Sequence, residues 1–255
     1  MIRSISGDGS AAAAFCRRDV FGTRIAAYLG CYGDGYDFVK FWVQYRGEKL
    51  TAVIGRIDGD ATLCAGDEAD FDELAYFLRL TGFSTLQCES RALEKLGFAP
   101  SAHGNVVRAV RLRETNARLQ LKNSFEPKEI YDIICAAGLV GEGGYLPWLS
   151  DYTMRLRAGC TEALLAVCEG RNASCAMSLF ETETAVLLGG VATLPEFRGR
   201  GLAGGLVTRL AAQGLARGKR TELLCRADSI TGFYKGLGFE VVNEWSVTAN
   251  ETGNI

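Results

Sequence analysis

Between Gly189 and Leu210 the chain reads GGVATLPEFRGRGLAGGLVTRL, a stretch whose residue types can bind an anion. Gly199 and Gly201 let the backbone curl so that successive N–H groups face one point. Arg198 and Arg200 place full positive charges beside them. Leu202, Ala203, Leu206, Val207, Leu210 and Ala211 then recur at helical spacing, so a helix with one buried face begins here. Its N-terminus adds roughly half a positive charge. The amides of Arg198, Gly199, Arg200, Gly201, Leu202, Ala203 and Gly204 therefore suit a phosphate or pyrophosphate. Two other readings share the composition. One is an exposed basic turn. The other is a nicotinamide-binding fold, with Gly199, Gly201 and Gly204 as its glycines and Asp228 as its ribose acid. Against that second reading, Pro195-Glu196-Phe197 separates the glycines from their strand, and too little chain follows for a doubly wound sheet.

Other chemistries find little support. The nine cysteines stand singly, without a C-x-x-C pair, and the chain has one histidine, so zinc-ligand spacing is absent and no metal is expected. Reduced, mostly buried thiols in a cytoplasmic protein are the expectation. A net charge of −2 argues against nucleic-acid binding through bulk charge. No apolar run approaches the roughly 20 residues that span a bilayer, and the alanine run near the N-terminus lacks the apolar core of a signal peptide. With 48% hydrophobic and 23% charged residues, the composition is that of a globular domain or two.

The sequence Arg198-x-x-Gly201-x-Ala203, after a strand ending Val191-Ala192-Thr193-Leu194-Pro195, resembles the coenzyme A loop of the GNAT acyltransferases. Downstream, Phe233-Tyr234-Lys235-Gly236-Leu237-Gly238-Phe239 resembles the closing helix and strand of that family, in the family's order and spacing. The resemblance covers the second half of the chain well and the first only faintly. It implies an acetyl-CoA-dependent N-acyltransferase acting on a primary amine of a small molecule or peptide. It implies that Val191, Ala192 and Thr193 splay from the neighbouring strand and pair with the pantetheine arm. It makes Tyr234 the acid that protonates the leaving thiolate, a fitting role for a phenol of pKa near 10. Glu142 and Tyr145, in the loop GEGGYLPW, stand where relatives meet the acceptor. There are departures. Ala227 occupies a position where the family often has asparagine, with Asp228 or Ser229 as substitutes, and the strand before the loop carries no glutamate to serve as general base. A non-catalytic acyl-CoA-binding sensor is the alternative that these departures leave open.

Positioning these residues takes an α/β chain of two repeats. Hydrophobic alternation and turn signals predict a meander over 37–66, a helix over 68–80 ending at Gly82, strand 84–88, helix 90–96 and strand 105–112. After a polar junction come helices 127–137 and 146–157, strands 162–168, 173–180 and 184–194, helix 201–217, strand 221–226, helix 229–235 and strand 239–248. DGDATLCAG (58–66) parallels TETAVLLGG (182–190), and ALEKLGF (92–98) parallels FYKGLGF (233–239). A tandem duplication follows: two GNAT-like lobes, 1–115 and 116–255, each a mostly antiparallel mixed sheet flanked by helices. The first copy lacks the chemistry. It is acidic at Asp67-Glu68-Ala69-Asp70 where the second has arginines, and Leu93 stands in place of Tyr234. These acidic residues, with Glu181 and Glu183, mildly favour a cationic acceptor.

Overall fold

The computed structural model describes residues 1–249 apart from 6, 8, 116 and 117, and side chains other than those of 142 and 227–229. In chain order the elements are β1 (Ile2–Ser4), α1 (Ser10–Phe15), α2 (Val20–Tyr32), β2 (Val39–Arg46), β3 (Lys49–Ile57), β4 (Asp60–Ala65), α3 (Phe71–Thr81), β5 (Thr85–Glu89), α4 (Ser90–Lys95) and β6 (Ala102–Ala109). There follow β7 (Gln120–Leu121), α5 (Pro127–Ala136), α6 (Tyr145–Arg157), β8 (Glu162–Cys168), β9 (Arg171–Glu181), β10 (Ala185–Thr193), α7 (Leu202–Ala216), β11 (Arg220–Arg226), α8 (Ala227–Gly236) and β12 (Phe239–Ala249). The predicted elements are all present. The alanine run adds a helix, α1, that periodicity alone does not announce.

Contacts divide the chain into two units. The first holds residues 1–106, 225–228 and 241–255, and the second holds 107–224 and 229–240. Each unit draws on more than one stretch of the chain, because strands far apart in sequence pair with one another.

In the first unit β2, β3 and β4 form an antiparallel meander, and β4 runs parallel to β5 with Asp60 opposite Thr85. A parallel neighbour requires a crossover, which α3 supplies. Its ends are written in the sequence. The Asp70 side chain accepts a hydrogen bond from the Glu73 amide, and Gly82 ends the helix at φ 70°. Leu74 and Leu78 bury its apolar face with Leu63, Leu86 and Leu93. The strand that closes this sheet beside β5 is β12, antiparallel, with Trp245 opposite Glu89. The Trp245 indole N–H donates to the Cys225 carbonyl (3.1 Å).

The second unit repeats the plan. β8, β9 and β10 are antiparallel, β10 runs parallel to β11 with Ala185 opposite Arg220, and α7 makes the crossover. β6, whose last residues belong here, flanks β11 on its other side. Leu206, Val207, Leu210 and Ala211 bury one face of α7, the face that periodicity assigns to the core. On β11, Glu222 is almost fully buried and takes two hydrogen bonds from Arg108 (2.9 and 2.7 Å) and one from Arg220 (2.9 Å).

Acid sensitivity is expected at one point of this unit. Hydrogen bonds from Lys122, then Asn172 and the Glu126 amide, hold the Glu129 carboxyl down to a pKa of about 2. The folded value lies below the ordinary one. The stability it contributes is therefore complete above about pH 4.5 and is lost as pH falls through 2. Comparing denaturant midpoints at pH 6 and pH 3, Glu129→Gln should be less acid-sensitive than the parent by about 1–2 kcal/mol, allowing for screening of a partly exposed group. Equal sensitivity would remove Glu129 from the account.

Candidate active site

The site is built on an irregularity in β10. Its pairing with β9 loses register between Gly189 and Ala192, and Gly190 sits at φ 57°. A Cβ on Gly189 would lie 2.3 Å from Leu179, and one on Gly190 would lie 2.9 Å from the Met177 sulfur. Only glycines permit this bulge. Among the described residues, β11 pairs with β10 only from Ala185 to Leu188, before the bulge. Beyond it, the Ala192 carbonyl accepts from the Ser174 hydroxyl (2.8 Å), and the Leu194 amide donates to the Ala173 carbonyl (2.9 Å). Peptide groups alternate along a strand, so those of Val191 and Thr193 face the opposite side, where β11 no longer pairs.

A short 3-10 turn, Pro195–Phe197, then leads into the arginine-glycine loop. Phe197 (1% exposed) and Leu202 share a small core with Ala173 and pin the loop at both ends. Between them Gly199 lies at φ 77° and Gly201 at φ 76°. Among the described residues no side chain caps the first amides of α7. A helix start without a cap leaves its donors to water or to a ligand. The contrast with α3 is direct, since there Asp70 fills the equivalent role from within the chain.

The two arginines behave differently. Arg198 lines the cleft, its Nε donating to the Thr193 carbonyl (3.2 Å). Arg200 is drawn to the turn before β9, where it pairs with Glu169 (2.5 Å). Gly204 is buried, and an added Cβ would meet Leu237 at 3.3 Å, so its smallness also lets α8 pack against α7.

The cleft has two adjoining parts, which share Thr193, Arg198, Ala203 and Phe233. One, of about 310 Å³, lies over the loop from Arg198 to Gly204. The other, of about 540 Å³, is flanked by Val191, Ala192 and Thr193 on β10 and by Tyr234 on α8. The structure thus gathers the strand, the loop and the tyrosine around one groove. The Tyr234 ring is 6% exposed and meets Phe233 and Phe239 edge-on, at 5.0 and 5.9 Å. Ala137 and Leu139, just after α5, line the same part, and neither stood out in the sequence.

The remaining candidates are not among the described residues that line the groove. Tyr145 joins an aromatic stack with Tyr131 and Trp148, and Lys128 sits over its ring at 5.4 Å. Glu142 opens the 3-10 turn Glu142–Gly144, but its side chain lies outside the described residues. So do the side chains of Ala227, Asp228 and Ser229. Cys175 lies beside the bulge, its thiol 3.5 Å from the Gly190 carbonyl. Burial pushes its pKa up to about 12, which keeps it a thiol and not a nucleophile. All nine cysteines are free, and five are buried. Among the described residues no group of three His, Cys, Asp or Glu could hold a metal ion, and no helix is long and apolar enough to cross a membrane.

This geometry has known counterparts. Residues 161–241 match the family model described as Acetyltransferase (GNAT) domain. No match is found among curated proteins. Among solved structures, a tandem GNAT protein from the clavulanic acid biosynthesis pathway, solved without AcCoA, superposes with a TM-score of 0.62 at 12% identity, over 100% of this chain and 99% of that one. A GNAT-family acetyltransferase from Colwellia psychrerythraea gives 0.60 at 13%, over 97% and 98%. A GCN5-related N-acetyltransferase from Sphaerobacter thermophilus gives 0.61 at 16%, over 97% and 94%. Residues 161–241 are therefore similar to the GNAT acetyltransferase domain. The chain as a whole has the tandem GNAT fold.

Proposed function

We propose that the second unit transfers an acyl group, most simply acetyl, from a coenzyme A thioester to a primary amine of a small molecule or peptide. The observation that carries this reading is the juxtaposition of an uncapped α7 N-terminus, a strand end released from its neighbour, and a tyrosine across the groove. Acetyl-CoA fits these features as co-substrate. The amides from Arg198 to Gly204 would hold its pyrophosphate, with the Arg198 charge beside them. The outward peptide groups of Val191 and Thr193 would pair with the amides of its pantetheine arm, as an added strand does. Tyr234 would give its phenolic proton to the departing thiolate. The departing sulfur gains one proton and the amine loses one, so charge balances.

Among the described residues that line the groove there is no Asp, Glu or His. The amine proton therefore leaves to water in this proposal, and Glu142 and Tyr145 are kept as acceptor-loop residues without a proton-transfer role. The same observation favours a second reading, an acyl-CoA sensor without turnover. The first copy, proposed to end near residue 115, serves as a structural lobe. Its equivalent helix is already capped by Asp70, and Leu93, 1% exposed, packs in its core. Nine free thiols support a reducing compartment, the cytoplasm.

Gly201→Asp tests the anion site. Aspartate at φ 76° is strained, and its carboxylate would occupy the space meant for phosphate while capping α7 itself. Affinity for acetyl-CoA, read by calorimetry, should fall at least about 100-fold with the melting temperature nearly unchanged, a loss of about 2.7 kcal/mol in binding. Retained affinity would overturn the assignment.

A further inference from the structure

Part of the groove is left over once the acyl donor is placed. The loop and the strand end serve the donor, but Ala137 and Leu139 after α5 and Ile230 on α8 do not belong to either. Leu139 is 54% exposed, Ile230 45% and Phe233 41%. Large apolar side chains open to solvent around one concavity mark a surface meant to be covered. In the part of the groove lined by Ala137, Leu139, Ile230 and Tyr234, Arg198 supplies the only charge among the described lining residues. Three of the acids that the sequence offers to a cation are engaged elsewhere. Glu181 pairs with Arg217 (3.1 Å) and Lys219 (2.6 Å), Glu68 pairs with Lys49 (2.5 Å), and Asp70 caps α3.

We infer that the acceptor is a primary amine carried on an apolar, otherwise uncharged body, an arylalkyl- or alkylamine, and not a polycation. This rests on the acyltransferase reading above and names its acceptor class. A polyamine would bring further ammonium groups to a described lining that has arginine and no acid to receive them, whereas an apolar body covers Leu139 and Ile230. In the reaction the C–N bond forms as the C–S bond breaks. The amine's proton goes to water, the thiolate takes the phenolic proton of Tyr234, and the phenolate takes a proton back from water.

The test uses the full chain, acetyl-CoA and amines in two groups, phenethylamine and hexylamine against spermidine and putrescine, with thiol release as the readout. Melting with acetyl-CoA alone is recorded first. Stabilisation by acetyl-CoA together with a kcat/KM at least tenfold higher for phenethylamine than for spermidine supports the inference. Leu139→Glu should then erase that preference at an unchanged KM for acetyl-CoA. Stabilisation with a preference for polyamines, or with no acetylation of either apolar amine, overturns the acceptor class and leaves donor binding standing. No stabilisation by acetyl-CoA overturns the underlying reading and the inference with it.

Discussion

Tyr234→Phe should lower kcat by 100-fold or more and leave the dissociation constant of acetyl-CoA within about twofold of the parent value. The substitution removes one oxygen and keeps the ring, so the edge-on contacts with Phe233 and Phe239 survive. What goes is the proton donor, and a positioned general acid is worth roughly 10² to 10⁴ in rate. Stopped-flow turnover beside equilibrium binding separates the two quantities. A loss confined to KM would make the tyrosine a packing residue of the cleft. A parent protein that binds acetyl-CoA and turns over no amine would favour the sensor.

The largest effect on stability is expected at Glu222. Two guanidinium groups converge on this buried carboxylate, and Glu222→Ala removes the acceptor that they share. Removing one partner from a buried ion pair costs about 3–5 kcal/mol, and the partial exposure of Arg108 brings the expectation to the lower end, about 3 kcal/mol. At this chain length that is a fall in Tm of roughly 6 to 12 °C. A change below about 1 kcal/mol in denaturant unfolding would mean that water replaces the carboxylate without cost. Because Glu222 lies on the strand leading to α8, the variant's kcat would also report whether β11 holds Tyr234 in place.

The elements were legible because each leaves local marks. Asp70 and Gly82 bracket α3, Pro127 starts α5, and the repeated apolar spacing of α7 identifies its buried face. The bulge was legible for the same reason, since Gly189-Gly190 fails to fit a regular strand. The partner of β5 was not. Nothing in the sequence 239–249 states that Trp245 will lie opposite Glu89, because pairing between distant strands is decided by what the whole chain can bury together. The fate of single charges was hidden likewise. Arg198 and Arg200 are equivalent in composition, yet Glu169 pairs with one while the other donates to the Thr193 carbonyl. Glu181 reads as an acid that favours a cationic acceptor and proves to be held by two cations of the chain itself. Ala137 and Leu139 left no signal, since an apolar residue after a helix is unremarkable until the groove beside it is seen.

The self-capped start of α3 has a bearing on regulation. A protein assembled from two copies of one fold could respond to its co-substrate cooperatively, one lobe informing the other. Here the Asp70 carboxylate caps the start of α3, the first lobe's counterpart of α7, by accepting from the Glu73 amide, and on the proposed reading that leaves no room there for a phosphate. Only one lobe is then left to titrate, so saturation should be a simple hyperbola with one equivalent per chain. Any sigmoidal response would have to arise from association between chains.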